Sequence, residues 1–306
     1  MIPAPLARRR REARTARILR AAAFCAAVVF LSPAEGADPH WTKLFAFGDS
    51  YSDSGAGYVD GNGPTAIVYA ARELGLPFTY ATDPAAASQG RNYAVSGAQT
   101  GEGAGRPVKK ARLGYGMQNQ VRDFVADVTS GQITFDPGTT LFFLAGGLND
   151  GRLPTSTTTE NLSRLVHQLH AAGARHFFIA VLPTEIPAFA EVGRRLNPAL
   201  RALPDALQGE LPDAQIHLSQ WGRFFDAVML EPDRYGITNT TDACAGRALF
   251  DQDATPRGDP ATYYYYHAGH PSTAVHRHVG RELAREFRAA GPRQNSAAPA
   301  ARTARP

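Results

Sequence analysis

At 306 residues, with 43% apolar and 20% charged side chains, the chain has enough apolar material for a substantial core and none of the bias of a disordered, fibrous or repeat protein. Its formal charge of +4 is misleading, because residues 1–36 alone account for +5 and leave −1 for the remainder; the basic balance therefore gives no support for nucleic-acid binding. The only cysteines are Cys25 and Cys244, too few for a disulfide framework or a cysteine metal site.

The amino-terminal segment reads as a secretory signal peptide over residues 1–36. An arginine-rich region runs to Arg20, an apolar stretch from Ala21 to about Leu31, and small residues follow to Gly36 and Ala37. Cleavage near Gly36 or Ala37 is expected, with export to the periplasm or the medium. The apolar stretch is shorter than the ~20 residues of a spanning helix, so no stable membrane span is expected. With Cys25 removed, Cys244 reads as a small packed residue. Residues 37–290 are expected to form the folded domain, and 291–306, rich in Ala, Pro and Arg, a disordered tail.

Within the domain, Leu44–Phe47 is an apolar run that reads as a buried strand, ending in Gly48-Asp49-Ser50. A helix is expected over 64–74, a loop over 76–90, and a strand at Asn92–Val95 that ends in Ser96-Gly97. The glycine-rich stretch to Gly116 reads as a long loop. Met117, Val121, Phe124, Val125 and Val128 recur with helical period. Leu141–Leu144 is a second buried strand, ending in Gly146-Gly147-Leu148-Asn149-Asp150. Helix over 158–171, strand over 176–182, and a helix over 194–211 broken at Pro198 and Pro204 follow. Then come a weak strand at 216–218, a helix over 220–229, an irregular region over 231–262, and a last helix over 271–287 with Pro271 in its first turn. Strands alternating with helices argue for one α/β domain, a parallel sheet with helices on both faces.

In such a sheet the strand ends at Ser50, Gly97 and Asn149 fall along one edge, where ligands bind. His270 opens the last helix. Acyl transfer needs a hydroxyl nucleophile, a base beside it and donors aimed at the developing oxyanion. Ser50 and His270 supply the first two. The Gly97 N–H and the Asn149 amide supply the third, glycine allowing close approach and the amide offering N–H groups without charge. The competing reading of Gly48-Asp49-Ser50, a strand followed by a polar helix-capping turn, explains that block alone and not the other three.

The blocks Phe47-Gly48-Asp49-Ser50 with Asp53-Ser54-Gly55, Asn92–Ala98, Gly147-Leu148-Asn149-Asp150 and His270-Pro271-Ser272, in this order, resemble those of the GDSL (SGNH) hydrolase family, over roughly Lys43 to Phe287. The resemblance implies a flavodoxin-like three-layer α/β/α sandwich and a serine esterase or lipase working through an acyl-enzyme. It implies Ser50 as nucleophile, Ser50, Gly97 and Asn149 as oxyanion-hole donors, and His270 as base and then acid. No organic cofactor and no metal are implied. The substrate would be a small-molecule, lipid or acetylated-carbohydrate ester; the absence of a long apolar lid favours shorter or more polar acyl groups. An acyltransferase of the same fold and a non-catalytic binding protein are the alternatives.

One position departs from the family pattern. Where an aspartate three residues before the histidine orients the imidazole, this chain has His267. A backbone carbonyl, an acid from the irregular region (Asp251, Asp253 or Asp259), a bound anion, or a weakened site are the competing explanations, the carbonyl ranking first. The histidines 267, 270, 276 and 278 lack the clustered carboxylates or cysteines of a zinc site. Tyr263–Tyr266 reads as packing, Asp49, Asp53 and Asp150 as braces for the neighbouring turns, and Lys109-Lys110-Arg112 as a solvated loop face.

Overall fold

The computed structural model describes residues 40–55, 58, 60–83 and 89–291; the expected signal peptide and the expected tail beyond residue 291 lie outside the described residues. In chain order the elements are β1 (Lys43–Gly48), α1 (Ala66–Glu73), β2 (Phe78–Tyr80), β3 (Gly90–Asn92), β4 (Ala104–Val108), β5 (Ala111–Tyr115), α2 (Met117–Thr129), β6 (Thr140–Ala145), α3 (Thr155–Ala171), β7 (His176–Ala180), α4 (Ala190–Glu210), β8 (Gln215–Ser219), α5 (Trp221–Leu230), β9 (Asn239–Ala243), β10 (Tyr263–His267), β11 (His270–Pro271) and α6 (Thr273–Ala289).

β1 forms because Leu44 to Phe47 are apolar and buried on both sides, the mark of a central parallel strand. It pairs in parallel with β3 on one side and β6 on the other, within a six-stranded sheet of order β2-β3-β1-β6-β7-β8 whose neighbours are all parallel. Side chains alternate between faces. Phe45 meets Phe124 of α2 at 4.9 Å and Phe142 at 5.4 Å between ring centroids. The next residue of β6, Phe143, instead meets Trp221 of α5 and Phe287 of α6. Helices accordingly flank the sheet in two groups, α1 and α5 packing on α6, and α3 packing between α2 and α4. This is the three-layer α/β/α sandwich expected. The chain leaves β1 toward β3 and then crosses to β6, so the carboxyl ends of β1 and β6 border the switch point at which open sheets bind ligands.

Several elements differ from expectation. Within 76–90, Phe78–Tyr80 forms edge strand β2. β3 begins two residues earlier than its apolar stretch, because Arg91 is buried in the strand with its charge met by Asp127 at 2.9 Å; Tyr93 and Val95 N–H still bond β1 carbonyls. The glycine-rich stretch is not a plain loop. It holds the β4–β5 hairpin, in which Ala111, Leu113 and Tyr115 alternate inward. α4 runs unbroken through Pro198 and Pro204. Its buried stripe of Leu196, Leu200, Leu203 and Leu207 offsets the ~3 kcal/mol cost of an interior proline. β9 lies in the irregular region and pairs with β10. α6 starts at Thr273, capped by the Ser272 side chain, and Pro271 belongs to β11 instead.

Candidate active site

Gly48 ends β1 under close constraint. A Cβ there would lie 2.5 Å from the Ala145 carbonyl oxygen of β6, so only glycine fits. Its N–H and C=O are both bonded by the Gln120 side chain of α2, at 3.0 and 2.9 Å. The chain then makes one tight turn in which Ser52 and Asp53 N–H donate to the Asp49 carbonyl. Ser50 sits in this turn, 6% exposed. Asp53 braces the turn from behind: its carboxylate accepts from the N–H groups of Gly55, Tyr58 and Ser96 at 3.0, 2.8 and 2.7 Å. Asp49 is fully buried, with one oxygen accepting from Tyr51 N–H and the other unpartnered. Burial pushes its carboxyl up to about 7, helped by the charges of Asp150 and Asp53 and opposed by the Tyr51 bond.

The two candidate donors are stitched to one another. Gly97 has φ +78°, the left-handed region that side chains avoid. The Asn149 amide donates to the Ala98 carbonyl at 3.0 Å, which leaves its second N–H available. Asp150 accepts from Thr100 N–H, Thr100 hydroxyl and Thr158 hydroxyl at 2.9, 2.6 and 2.6 Å, holding this turn against the Gly97 segment. The backbone N–H groups of Ser50 and Gly97 have no hydrogen-bond partner among the described residues.

His270 is carried on the small β11-β10-β9 sheet. Its Nδ1 lies 3.2 Å from the Ala268 carbonyl oxygen; with that nitrogen protonated and donating, Nε2 is the free base. The ring is stacked on Tyr58, 5.2 Å between centroids and 18° between planes. Burial pulls its pKa down to about 4; the Ala268 bond and Asp60 work the other way, and the nearby Arg247 charge works with burial. The imidazole is therefore neutral at pH 7, as a general base must be.

His267 does not orient His270. It is buried, and its Nδ1 lies 3.3 Å from the Tyr58 hydroxyl. Burial lowers its pKa. The candidate acids of the irregular region are engaged elsewhere. Asp251 pairs with Lys109 at 2.6 Å, Asp253 accepts from Thr255 N–H, and Asp259 accepts from Ala261 N–H. Among the described residues, the acceptor for His270 is the Ala268 carbonyl.

Ser50, Gly97, Asn149 and His270 line one cavity of about 450 Å³, together with Ser96, Gly105, Arg106, Leu113, Gly114, Arg247 and Phe250. None of the four tyrosines at 263–266 lines it. Tyr264 and Tyr265 are buried, with the Tyr264 hydroxyl on the Phe225 carbonyl. Cys244 is buried and free. His276 is buried and its Nδ1 accepts from Ala66 N–H at 3.2 Å, and the described residues contain no group of three or more His, Cys, Asp or Glu side chains able to hold a metal.

Four residues at the site were not legible as such. The Tyr51 hydroxyl donates to the Gly269 carbonyl at 2.8 Å, tying the Ser50 turn to the His270 loop across the fold. Tyr58 supplies the face on which His270 stacks. Arg247 and Asp60 form a largely buried ion pair at 2.7 Å beside it. The aromatic and charged residue types gave a weak hint; their partners, about two hundred residues away in sequence, gave none.

The fold resembles several solved structures at low sequence identity. A member of the lipolytic protein G-D-S-L family from Veillonella parvula is 13% identical, with a TM-score of 0.45, covering 80% of this chain and 98% of its own. A carbohydrate acetylesterase from Sinorhizobium meliloti is 14% identical, with a TM-score of 0.43, covering 81% and 99%. An aryl esterase of M. smegmatis is 15% identical, with a TM-score of 0.42, again covering 81% and 99%. No curated protein matches the chain. The family model for GDSL-like lipase/acylhydrolase matches residues 44–283. That span is well over half of the chain and includes every block from Ser50 to His270: the chain belongs to the GDSL-like lipase/acylhydrolase family.

Proposed function

We propose that the protein hydrolyses carboxylic esters through an acyl-enzyme on Ser50. As a member of its family it is a carboxylic ester hydrolase; the roles of individual residues are our reading. Ser50 Oγ attacks the ester carbonyl while His270 Nε2 takes its proton. The oxyanion is received by the N–H groups of Ser50 and Gly97 and by the Asn149 amide. His270 then returns the proton to the leaving alcohol, and water attacks the acyl-enzyme by the reverse sequence.

The observation that carries this reading is the shared cavity, lined by a buried serine, by residues whose N–H donors are unpaired among the described residues, and by a neutral histidine. The Ala268 carbonyl holds the tautomer, so the site works as a Ser–His dyad. Such a pair forgoes the carboxylate that stabilises the imidazolium and is slower than a full triad. The Arg106, Asn149 and Arg247 side chains in the lining of the cavity favour short or polar acyl esters. Hydrolysis of p-nitrophenyl esters of graded chain length tests the reading. Wild type should exceed Ser50→Ala by at least about a thousandfold on its best ester, with acetate or butyrate preferred. Equal rates for the two proteins on every ester would end it. We also infer export from the amino-terminal segment; the protein recovered from medium or periplasm should begin near residue 37.

A further inference from the structure

We propose that the substrate ester carries a carboxylate and that Arg106 is the residue that selects it. The inference rests on the esterase reading above and names the substrate class for that site.

The cavity is more positive than the protein around it. The chain beyond residue 36 has a net charge of −1, yet the charged residues that line the cavity are Arg106 and Arg247, with no Asp or Glu among the described lining residues. The two arginines are not equivalent. Arg247 is built into the wall. Its guanidinium bonds both oxygens of Asp60, at 2.7 and 3.4 Å, and lies over the Tyr58 and Phe250 rings. Its charge is largely answered there. The Arg106 guanidinium makes no ion pair and no hydrogen bond among the described residues.

The Arg106 side chain is exposed, but its backbone is held in place. It stands on β4 opposite Leu113 of β5. The hairpin is anchored to the segment around Leu249 by a buried cluster of Ala111, Leu113 and Leu249. The Lys109 ammonium adds bonds to the Ala248 carbonyl and to Asp251. The neighbouring cation Arg112 is engaged as well, donating to the Ala104 carbonyl and lying 3.5 Å over the Tyr115 ring. Lys110, at the hairpin turn, does not line this cavity. Arg106 is thus the cation with unused donors that a fixed backbone presents to the space beside Ser50 and Gly97. A planar guanidinium with free N–H groups matches a carboxylate in a paired, charge-assisted geometry, and like-signed lining raises the local concentration of anionic substrate.

The test compares anionic and neutral esters of matched shape at low ionic strength. On the acyl side the pair is 4-nitrophenyl hemiadipate and 4-nitrophenyl hexanoate; on the alcohol side it is 4-acetoxybenzoate and its methyl ester. The readout is the ratio of kcat/KM for anionic over neutral ester within one protein, so that any change in overall rate cancels. Wild type should favour the anionic ester by about tenfold or more in one arm, and the arm that responds tells which half of the substrate bears the carboxylate. Arg106→Gln should bring that ratio close to unity, and added salt should erode it in wild type. Lys110→Gln, the same charge change outside the cavity, should keep it. The proposal is overturned if wild type cleaves the neutral esters yet shows no preference in either arm, if the preference survives Arg106→Gln, or if Lys110→Gln abolishes it equally. Cleavage of none of the four esters would instead sink the esterase reading, and this one with it.

Discussion

The Tyr51 ring lies against the His270 ring, 6.1 Å between centroids, and its hydroxyl bonds the Gly269 carbonyl; Tyr51→Phe removes the second contact and keeps the first, which makes it an informative perturbation. Tyr51 is fully buried among Phe189, Trp221, Phe225, His270 and His276, so the ring stays packed when the oxygen is removed. What is lost is a 2.8 Å hydrogen bond to the Gly269 carbonyl, one residue before His270. A part-buried bond of this kind contributes about 1 kcal/mol net, and somewhat more where the acceptor is left unsatisfied. For a domain of this size that lowers Tm by roughly 2–4 °C. The effect on rate should be larger than the effect on stability. The bond connects the turn that carries Ser50 to the loop that leads into His270, and a shift of about 1 Å between reacting groups costs on the order of a hundredfold. Tyr264→Phe is the matched control: it removes a 3.1 Å bond from a buried tyrosine to the Phe225 carbonyl, away from the cavity. Thermal unfolding and p-nitrophenyl acetate kinetics on both variants separate the two effects. Similar losses of Tm are expected, with kcat down tenfold or more, as a rough bound, only for Tyr51→Phe and KM little changed. If kcat falls no further in Tyr51→Phe than in Tyr264→Phe, the bond does not align Ser50 with His270 and the reasoning is wrong.

Asn149→Ala removes one of the proposed oxyanion donors and should lower kcat by about 10²–10³ with a small change in KM; a loss under tenfold would exclude Asn149 from the oxyanion hole. For His270 the pKa is lowered to about 4, and the base works only when neutral, so the acid limb of kcat/KM should fall near pH 4. Going from pH 7.5 to 5.5 should change kcat/KM less than about twofold, whereas an ordinary histidine near 6.5 would cost roughly tenfold. The Arg247, Asp60, His267 and Tyr58 groups around the ring all remain in place in that experiment. His276 is fully buried, with its pKa lowered to about 3 by burial and, secondarily, by His270. Its unfolded form takes up a proton first, so its contribution is fully present above pH 6.5 and is lost as pH falls below it, by about 2 kcal/mol at pH 5. His276→Asn, which keeps an acceptor for Ala66 N–H, should show a correspondingly smaller drop in urea-unfolding free energy between pH 7.5 and 5; an undiminished drop would place the acid sensitivity elsewhere.

Much of the architecture was legible before any tertiary structure. Leu44–Phe47, Leu141–Leu144 and the run from His176 are apolar stretches too short for helices, and their alternation with amphipathic segments defines a parallel sheet. Strand ends in a parallel sheet share one edge, which is why Ser50, Gly97 and Asn149 could be grouped from their positions alone. Elements whose stability comes from partners rather than from local pattern were not legible. The β4–β5 hairpin contains Gly105, Arg106 and Pro107 and becomes a strand pair because Leu113 and Ala111 bury against Leu249. β3 hides Arg91 because Asp127 meets its charge, and α4 keeps two prolines because its leucine stripe is buried.

What the sequence determined by itself is the sheet, its helices and the set of residues that stand at its carboxyl edge, since these follow from periodicities of a few residues. What only the tertiary structure decided is how the histidine is held and what surrounds it. His267 stands where a carboxylate was expected, and the Ala268 carbonyl, the stacked Tyr58 and the Tyr51–Gly269 bond take up the positioning. The Arg247–Asp60 pair and the free Arg106 set the charge of the cavity. These contacts join segments as far as 218 residues apart. No local pattern encodes them, because each depends on which surfaces the packed sheet and helices bring face to face.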